Sequence, residues 1–174
     1  MERLSKSRKL KRSEKNKMIE DKLLYYLAGF FDGEGSISLF PRNPLKGSGY
    51  FLRVNVTNTN REVLDILKEH FGGRIIIILK PGIIRKDCYR WTIESDKAGK
   101  FLITIRDKIR IKKERLEVAI KYLETVEKIP SGKIIPKEVQ RKRKLLYSLM
   151  KQLNKKGKEV KSNVQDIRRV LRKM

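Results

Sequence analysis

The sequence predicts an α+β fold in which helices cover one face of a single antiparallel sheet. Two patterns carry this prediction: apolar residues recur every three or four positions in some segments and alternate with polar residues in others. The segments follow in the order helix, hairpin, helix, hairpin and then further helices, an αββαββα core with extra C-terminal helices. Hairpins build an antiparallel sheet, and Ser, Arg, Asn and Thr on its outer face leave only the inner face for helices to cover.

Each element is assigned from its own pattern and its end signals. Alternation predicts four strands, at 36–40, 50–58, 74–80 and 88–94. Helical spacing predicts six helices, at 20–31, 61–71, 97–109, 113–128, 136–153 and 163–172. Asn60 and Asp96 are the predicted N-caps of the second and third helices, and Gly72 with Gly73 ends the second. We expect one domain over 19–174, with its core at about 20–130 and C-terminal helices over 136–174, after a flexible basic arm at 1–18.

Basic residues outnumber acidic residues by 44 to 20, which gives the chain a formal charge of +24. The excess concentrates at the two ends, with eight basic and two acidic residues in 1–17 and fifteen basic and three acidic residues in 133–174. Such an excess points to a polyanionic partner, and nucleic acid is the default because neutralised phosphates release counterions. A solvated charge run that only aids solubility is the alternative for the two ends.

Composition and hydropathy exclude several classes of protein. The single Cys88 excludes a disulfide framework and a cysteine-based zinc site, and the single His70 disfavours a histidine-centred catalytic triad. Carboxylates and lysines are therefore the expected catalytic groups if the protein is an enzyme. No apolar run approaches the roughly 18 residues of a membrane span, and the N-terminus has no apolar signal region. We expect no membrane partner and an intracellular location, cytoplasmic in a prokaryote or organellar otherwise.

The most informative segment is YLAGFFDGEGSI at 26–37, where the first helix ends. Gly29 and Gly33 lie one helical turn apart, and each costs about 0.5–1 kcal/mol relative to Ala. Together with Ala28 they predict a small-residue face that another backbone can approach closely. Asp32 and Glu34 lie at the helix C-terminus, whose partial negative charge disfavours each carboxylate by about 0.3–1 kcal/mol. A segment that violates two stability rules together is expected to be functional.

These features together predict a site shared by two copies of the helix. Packing through the glycine face would bring Glu34, and with it Asp32, from both copies to one edge of the sheet. Carboxylates and helix-end carbonyls that point the same way form a hard-oxygen site suited to Mg²⁺. The alternative is an ordinary buried helix with a polar glycine C-cap.

The stretch LAGFFDGEG at 27–35 resembles the signature of the LAGLIDADG homing endonucleases at the small helix-face positions, both acids and the closing glycine. The order of elements over about 20–172 is also similar to that of the family. No second copy of the motif follows, so the chain resembles the single-motif members that act as homodimers. The resemblance implies a saddle-shaped sheet that grips double-stranded DNA in the major groove, with the motif helices at the dimer axis. It also implies Mg²⁺-dependent cleavage of both strands of a long pseudo-palindromic site, with Mn²⁺ as a substitute and Ca²⁺ supporting binding alone.

The resemblance implies roles for individual residues at this site. Glu34 matches the metal-binding acid, where most members have Asp, and the carbonyl of Gly33 matches the backbone ligand. Asp32 matches the other acid of the motif, with a structural or accessory role. Lys112 matches an active-site lysine that stabilises charge around the scissile phosphate, with a solvated lysine at a helix start as the alternative.

One part of the expected site departs from the family. Asn58 lies where relatives often have a glutamine that holds active-site water. Glu62, four residues further on, lies where some members have a basic residue. The departure puts the peripheral water network in doubt, with Arg61 as a candidate substitute.

Strand alternation independently predicts which side chains lie on the face that contacts nucleic acid. On that face, Arg can read guanine, Asn can read adenine and Lys mostly contacts phosphate. A solvated surface is the alternative for each of them. The predicted set is Ser36, Ser38, Phe40, Arg42, Arg53, Asn55, Thr57, Arg74, Lys80, Arg85, Lys86 and Arg90. The third strand is apolar on both faces, so either Ile76 and Ile78 contact thymine methyl groups or its register differs.

Three functions remain open at this point. The first is an endonuclease encoded by an intron or intein, the second is a splicing cofactor (maturase) that binds intron RNA on the same fold, and the third is a basic DNA-binding module. Both acids and Lys112 favour cleavage, because binding alone needs no carboxylate facing a polyanion.

Overall fold

The computed structural model describes residues 21–42, 49–78, 87–127, 129, 134–155 and 160–173. The strands are β1 (Gly35–Pro41), β2 (Tyr50–Asn58), β3 (Arg74–Ile78) and β4 (Cys88–Glu94). The helices are α1 (21–34), α2 (Arg61–Phe71), α3 (Ser95–Ile105), α4 (Lys113–Glu127), α5 (Lys137–Leu153) and α6 (Val160–Lys173). The predicted arm at 1–18 and the loop residues Lys80, Arg85 and Lys86 lie outside the described residues. Across the described ranges, no helix combines the length and the apolar character that a membrane crossing needs.

The four strands form one antiparallel sheet in the order β1-β2-β4-β3, which confirms the predicted α+β class. Two hairpins meet in this sheet, because β2 of the first pairs with β4 of the second. The register sets Gly35 opposite Val56, Val56 opposite Trp91, and Trp91 opposite Ile75. The residues of one such row point to the same face of the sheet, so the register fixes which side chains lie together.

The inner face of the sheet carries the hydrophobic core. Ile37, Val54 and Trp91 are completely buried there, beneath helices that contribute further apolar side chains. Phe101 of α3 packs edge-to-face against the Trp91 ring with centroids 5.3 Å apart. The Trp91 indole N–H donates a 2.8 Å hydrogen bond to the carbonyl of Gly72, which leaves no unpaired polar atom on this ring.

The outer face carries the polar residues of the strands, which are partly exposed except for Thr92, whose residue is only 6% exposed. Ser36 lies opposite Asn55, Asn55 opposite Thr92, and Thr92 opposite Arg74, so one polar row crosses all four strands. In β3 the register sets Ile76 opposite Arg90, on the outer face, with 45% of its surface exposed. The predicted register of this apolar strand is therefore correct.

Two predictions for α3 were wrong. Asp96 is not its N-cap: the cap position is Glu94, without a side-chain capping bond, and Asp96 instead forms a 3.0 Å ion pair with Lys100. The helix also ends at Ile105 and not at 109, and a short 3-10 turn over Arg106–Lys108 follows. The turn redirects the chain so that Ile109 is buried and the following backbone reaches the end of α1. The predicted cap Asn60 is confirmed, since its side chain accepts the N–H of Glu62 at 2.9 Å.

Candidate active site and nucleic-acid interface

The C-terminal turn of α1 is anchored by the carboxylate of Asp32, whose residue is only 6% exposed. One oxygen accepts the backbone N–H groups of Arg110 at 2.7 Å and Ile111 at 2.8 Å, and the other accepts that of Lys112 at 2.9 Å. These three groups precede α4, so Asp32 binds the entry to α4 as an N-terminal cap does. Both carboxylate oxygens are therefore engaged by the chain itself.

Charge and hydrogen bonding keep this carboxylate ionised. Burial alone raises the pKa of Asp32, but the three backbone hydrogen bonds, aided by the charge of Lys112, outweigh it and hold the pKa below its ordinary value. At neutral pH the group is consequently an anion that accepts three N–H donors.

The same segment places the side chain of Lys112 at the end of α1. Its ammonium group donates to the carbonyl of Asp32 and, at 3.2 Å, to the carbonyl of Gly33. Helix C-termini attract cations because their last carbonyl groups have no partner within the helix. Burial lowers the pKa of Lys112, while the charges of Asp32 and Glu34 act in the opposite direction and only partly offset it. The structure thus brings Asp32, Gly33, Glu34 and Lys112 to one place.

Glu34, the last residue of α1, has an exposed side chain at this place. No group of three or more His, Cys, Asp or Glu side chains that could hold a metal ion occurs among the described residues. One chain offers a divalent cation the carboxylate of Glu34 and the carbonyl of Gly33, which are hard oxygen donors of the kind that Mg²⁺ prefers. These donors fit the ion in type but fall short in number, so further oxygens must come from outside the chain.

Asn58 lies at the same end of the sheet, because Gly35, which follows Glu34, pairs with Val56. Its side-chain oxygen accepts the N–H of Asn60 at 2.8 Å, which fixes its orientation at the end of β2. Arg61 pairs with Asp65 at 3.4 Å, and its guanidinium carbon lies 5.6 Å from the Tyr89 ring centre, so its suggested part in the water network stays a prediction. The water-holding role of Asn58 stays a prediction.

The predicted small-residue face of α1 is only partly correct. A methyl group added at Gly29 or Gly33 would meet nothing within 4 Å, so both positions are open. Tyr25 and Tyr26 on the same helix are 63% and 55% exposed. Ala28, in contrast, is completely buried in the core of its own chain, and its assignment to the dimer interface was wrong. The reason is helical geometry, since neighbours in sequence point about 100° apart on a helix of 3.6 residues per turn.

The predicted nucleic-acid-facing residues that the structure describes lie together on the outer face, except Arg42, which lines a cavity with Tyr122 and Leu123 of α4. Arg42 follows the end of β1 and is exposed, while Phe40 is 37% exposed on the strand itself. The other members are partly buried or exposed on the same face, namely Ser36, Ser38, Arg53, Asn55, Thr57, Arg74 and Arg90. Contact with nucleic acid stays a prediction for all of them.

Sequence reasoning missed three residues of this region. Glu94 lies opposite Arg53 on the outer face and forms an ion pair with it; alternation in β4 indicates its face but not this pairing. Asn154, just after α5, donates to the carbonyl of Ile37 at 2.8 Å and so attaches the C-terminal helices to β1. Arg115 donates to Asn154 at 2.9 Å. No local pattern marks these contacts between distant segments.

Comparison with solved structures shows which known proteins share this fold. No protein-family model matches the chain, and no curated protein matches it. The archaeal intron-encoded homing endonuclease I-Vdi141I, complexed with DNA, is 23% identical with a TM-score of 0.62 over 88% of this chain and 97% of its own. The homing endonuclease I-CvuI, in complex with its target in the presence of calcium, is 15% identical with a TM-score of 0.58. The match covers 85% of this chain and 93% of the I-CvuI chain. I-SmaMI, bound to an uncleaved DNA target in the presence of calcium ions, is 20% identical with a TM-score of 0.54. The match covers 80% of this chain and 48% of the I-SmaMI chain. The chain therefore has the fold of homing endonucleases.

Proposed function

We propose that this protein is a site-specific endonuclease of the LAGLIDADG homing type, which binds double-stranded DNA on the outer face of its sheet and hydrolyses both strands. The observation that carries the proposal is the meeting of Glu34, the Gly33 carbonyl and Lys112 at the end of α1, beside a sheet face rich in Arg, Ser and Asn. A carboxylate and an ammonium group converge there at the rim of a surface suited to a phosphate backbone. The fold shared with DNA-bound homing endonucleases supports the same conclusion.

The working form in this proposal is a homodimer joined through α1. One chain supplies too few oxygen donors for a divalent cation, and a second copy brings another Glu34 and another Gly33 carbonyl. Gly29 and Gly33 are open, and the exposed Tyr25 and Tyr26 are apolar surface that a partner helix would cover. I-SmaMI supports this form, because this chain matches about half the length of that chain. A two-fold dimer requires a long, imperfectly palindromic DNA site.

The metal in this proposal is Mg²⁺, held by the carboxylate of Glu34 and the carbonyl of Gly33 from each copy. When bound, Mg²⁺ neutralises charge on the scissile phosphate and lowers the pKa of a bound water molecule. Mn²⁺ replaces it, and Ca²⁺ supports binding alone because it is larger and less demanding in geometry.

The chain's own residues supply the remaining chemistry. Lys112 turns its ammonium group from the helix carbonyls to the phosphate oxygens, where it stabilises the negative charge of the transition state. Asp32 holds the backbone from which Lys112 extends, so the ammonium group stays close to Glu34. Asn58 orients water at the same end of the sheet. The basic arm at 1–18 adds phosphate contacts that carry no base preference.

The test is a cleavage and gel-shift assay on the uninterrupted allele of the host gene, which the flanks of an intron or intein identify. Glu34→Gln keeps the size and one oxygen but removes the charge, so cleavage is abolished while DNA binding is kept or slightly strengthened. Glu69→Gln, at an exposed position of α2, is the matched control and leaves cleavage unchanged. Full cleavage by Glu34→Gln contradicts the mechanism. Tight binding of a verified site by the wild type without any cleavage contradicts the endonuclease.

A further inference from the structure

Glu94 is an acid on the surface that the proposed function assigns to a polyanion. It lies on the outer face of β4, directly opposite Arg53 of β2, and its side chain is 36% exposed. An unpaired carboxylate at this position would repel phosphate and weaken binding. Its presence therefore calls for a role that a neutral residue would not fill.

The side chain of Glu94 is paired with two arginines. Arg53 donates its Nε–H to one carboxylate oxygen at 2.7 Å, and an Nη atom of Arg74 lies 3.8 Å from the same oxygen. The two pairs differ in exposure, because the Arg53 side chain is 29% exposed and that of Arg74 is 68% exposed. Arg53 is the tightly held partner, and Arg74 is the loosely held one.

Two aromatic rings complete the surroundings of Arg53. Its guanidinium carbon lies 4.6 Å from the ring centre of Phe40 and 5.1 Å from that of Phe51, and the two rings stack 5.7 Å apart. The guanidinium is therefore held by cation–π contacts and by a charge-assisted hydrogen bond at its Nε edge. Its orientation is fixed before any ligand arrives, which reduces the rotamer entropy lost on binding.

The hydrogen bond to Glu94 uses one of five guanidinium N–H groups and leaves the Nη edge for another acceptor pair. Among the described residues, that edge makes no hydrogen bond to the protein. Two parallel donors on a fixed plane match the O6 and N7 atoms of guanine in the major groove. On the basis of the proposed function, we infer that Arg53 reads a guanine and that Glu94 is the positioning residue that orients it.

The test is selection of bound duplexes from a randomised DNA library, with the full chain in Ca²⁺, followed by sequencing. Arg53→Lys keeps the charge but loses the planar pair of donors, so guanine preference at one position of each half-site falls by about 10- to 100-fold. Glu94→Gln lowers the preference at that same position by a smaller factor, while binding to unrelated DNA is kept or strengthened. Arg141→Lys, the same exchange at an exposed arginine of α5 outside the sheet, is the matched control and leaves that position unchanged.

The outcomes separate this inference from the function on which it rests. A wild-type chain that selects no sequence contradicts the proposed function itself. A wild-type chain that selects a defined site, with guanine preference untouched in Arg53→Lys, overturns the reading role of Arg53. Loss of a preference in Glu94→Gln at a base pair that Arg53→Lys leaves unchanged means that Glu94 contacts a base directly, which overturns its positioning role. Matching thermal transitions for all three variants confirm that the fold is intact.

Discussion

Replacing Asp32 with Asn should destabilise the protein far more than its conservative chemistry suggests. The carboxylate accepts three backbone N–H groups in a place that is 6% exposed. A hydrogen bond to a charged group contributes about 1.5–3 kcal/mol, and bonds that share one carboxylate do not add fully. Asn keeps one acceptor oxygen but turns an NH₂ group toward N–H donors. We expect a loss of about 2–4 kcal/mol in the free energy of unfolding, or about 5–15 °C in Tm for a chain of this length.

The stability lost in Asp32→Asn should be largest at neutral pH and should decrease in acid. The folded-state pKa of Asp32 is lowered, so its stabilising contribution is complete above the unfolded-state pKa of about 3.9 and disappears as the pH falls through the folded-state value. Chemical denaturation of wild type and Asp32→Asn at a series of pH values should therefore give a difference in stability that is largest at neutral pH and narrows in acid.

Glu34→Gln is the matched control. Glu34 lies two residues after Asp32, and this substitution removes the same charge from a side chain that is exposed. Its stability should stay within about 0.5 kcal/mol of the wild type. The reasoning fails if Asp32→Asn costs less than about 0.5 kcal/mol at pH 7, or if its cost is the same at pH 7 and pH 3.

Four further predictions follow from named contacts. Gly29→Ala should stabilise the isolated chain by about 0.5–1 kcal/mol because its methyl group meets nothing within 4 Å, whereas Gly29→Leu should weaken dimerisation in analytical ultracentrifugation. Arg143→Met should cost about 2–3 kcal/mol in urea denaturation, since the buried guanidinium donates to Thr125 at 2.9 and 2.7 Å. DNA affinity should fall by about 10³-fold or more between about 50 and 200 mM salt, and a salt-independent Kd would contradict binding through phosphates. Lys112→Met should slow single-turnover cleavage less than Glu34→Gln does, because it removes transition-state charge stabilisation and not a metal ligand.

The sheet could be predicted from the sequence because its signals are local. Alternation in β2 and β4 gave both strands with their boundaries, and the polar side of each strand is the outer face. Asn60 was identified as a cap for the same reason, since its hydrogen bond spans only two residues. Patterns of this range are set by the chain's own periodicity and by turn chemistry.

The missed features depend on contacts between distant segments. Ala28 was placed on the open face because small residues look alike in sequence, whereas the core beneath α1 decides which side of the helix is buried. The helix predicted to continue to 109 stops at Ile105, because the backbone after Ile109 must reach Asp32, nearly 80 residues earlier in the chain. Helix propensity is a weak preference that tertiary contacts of this kind override.

The two acids of the motif differ in role because they lie two residues apart on the last turn of a helix. A separation of two residues turns the side chains about 200° apart, so one carboxylate faces the chain and the other faces solvent. Asp32 faces the entry to α4, where three N–H groups stabilise its charge. Glu34 remains exposed beside the carbonyl of Gly33, with the ammonium group of Lys112 held nearby. The acid that organises the site is thus distinct from the acid proposed to bind metal.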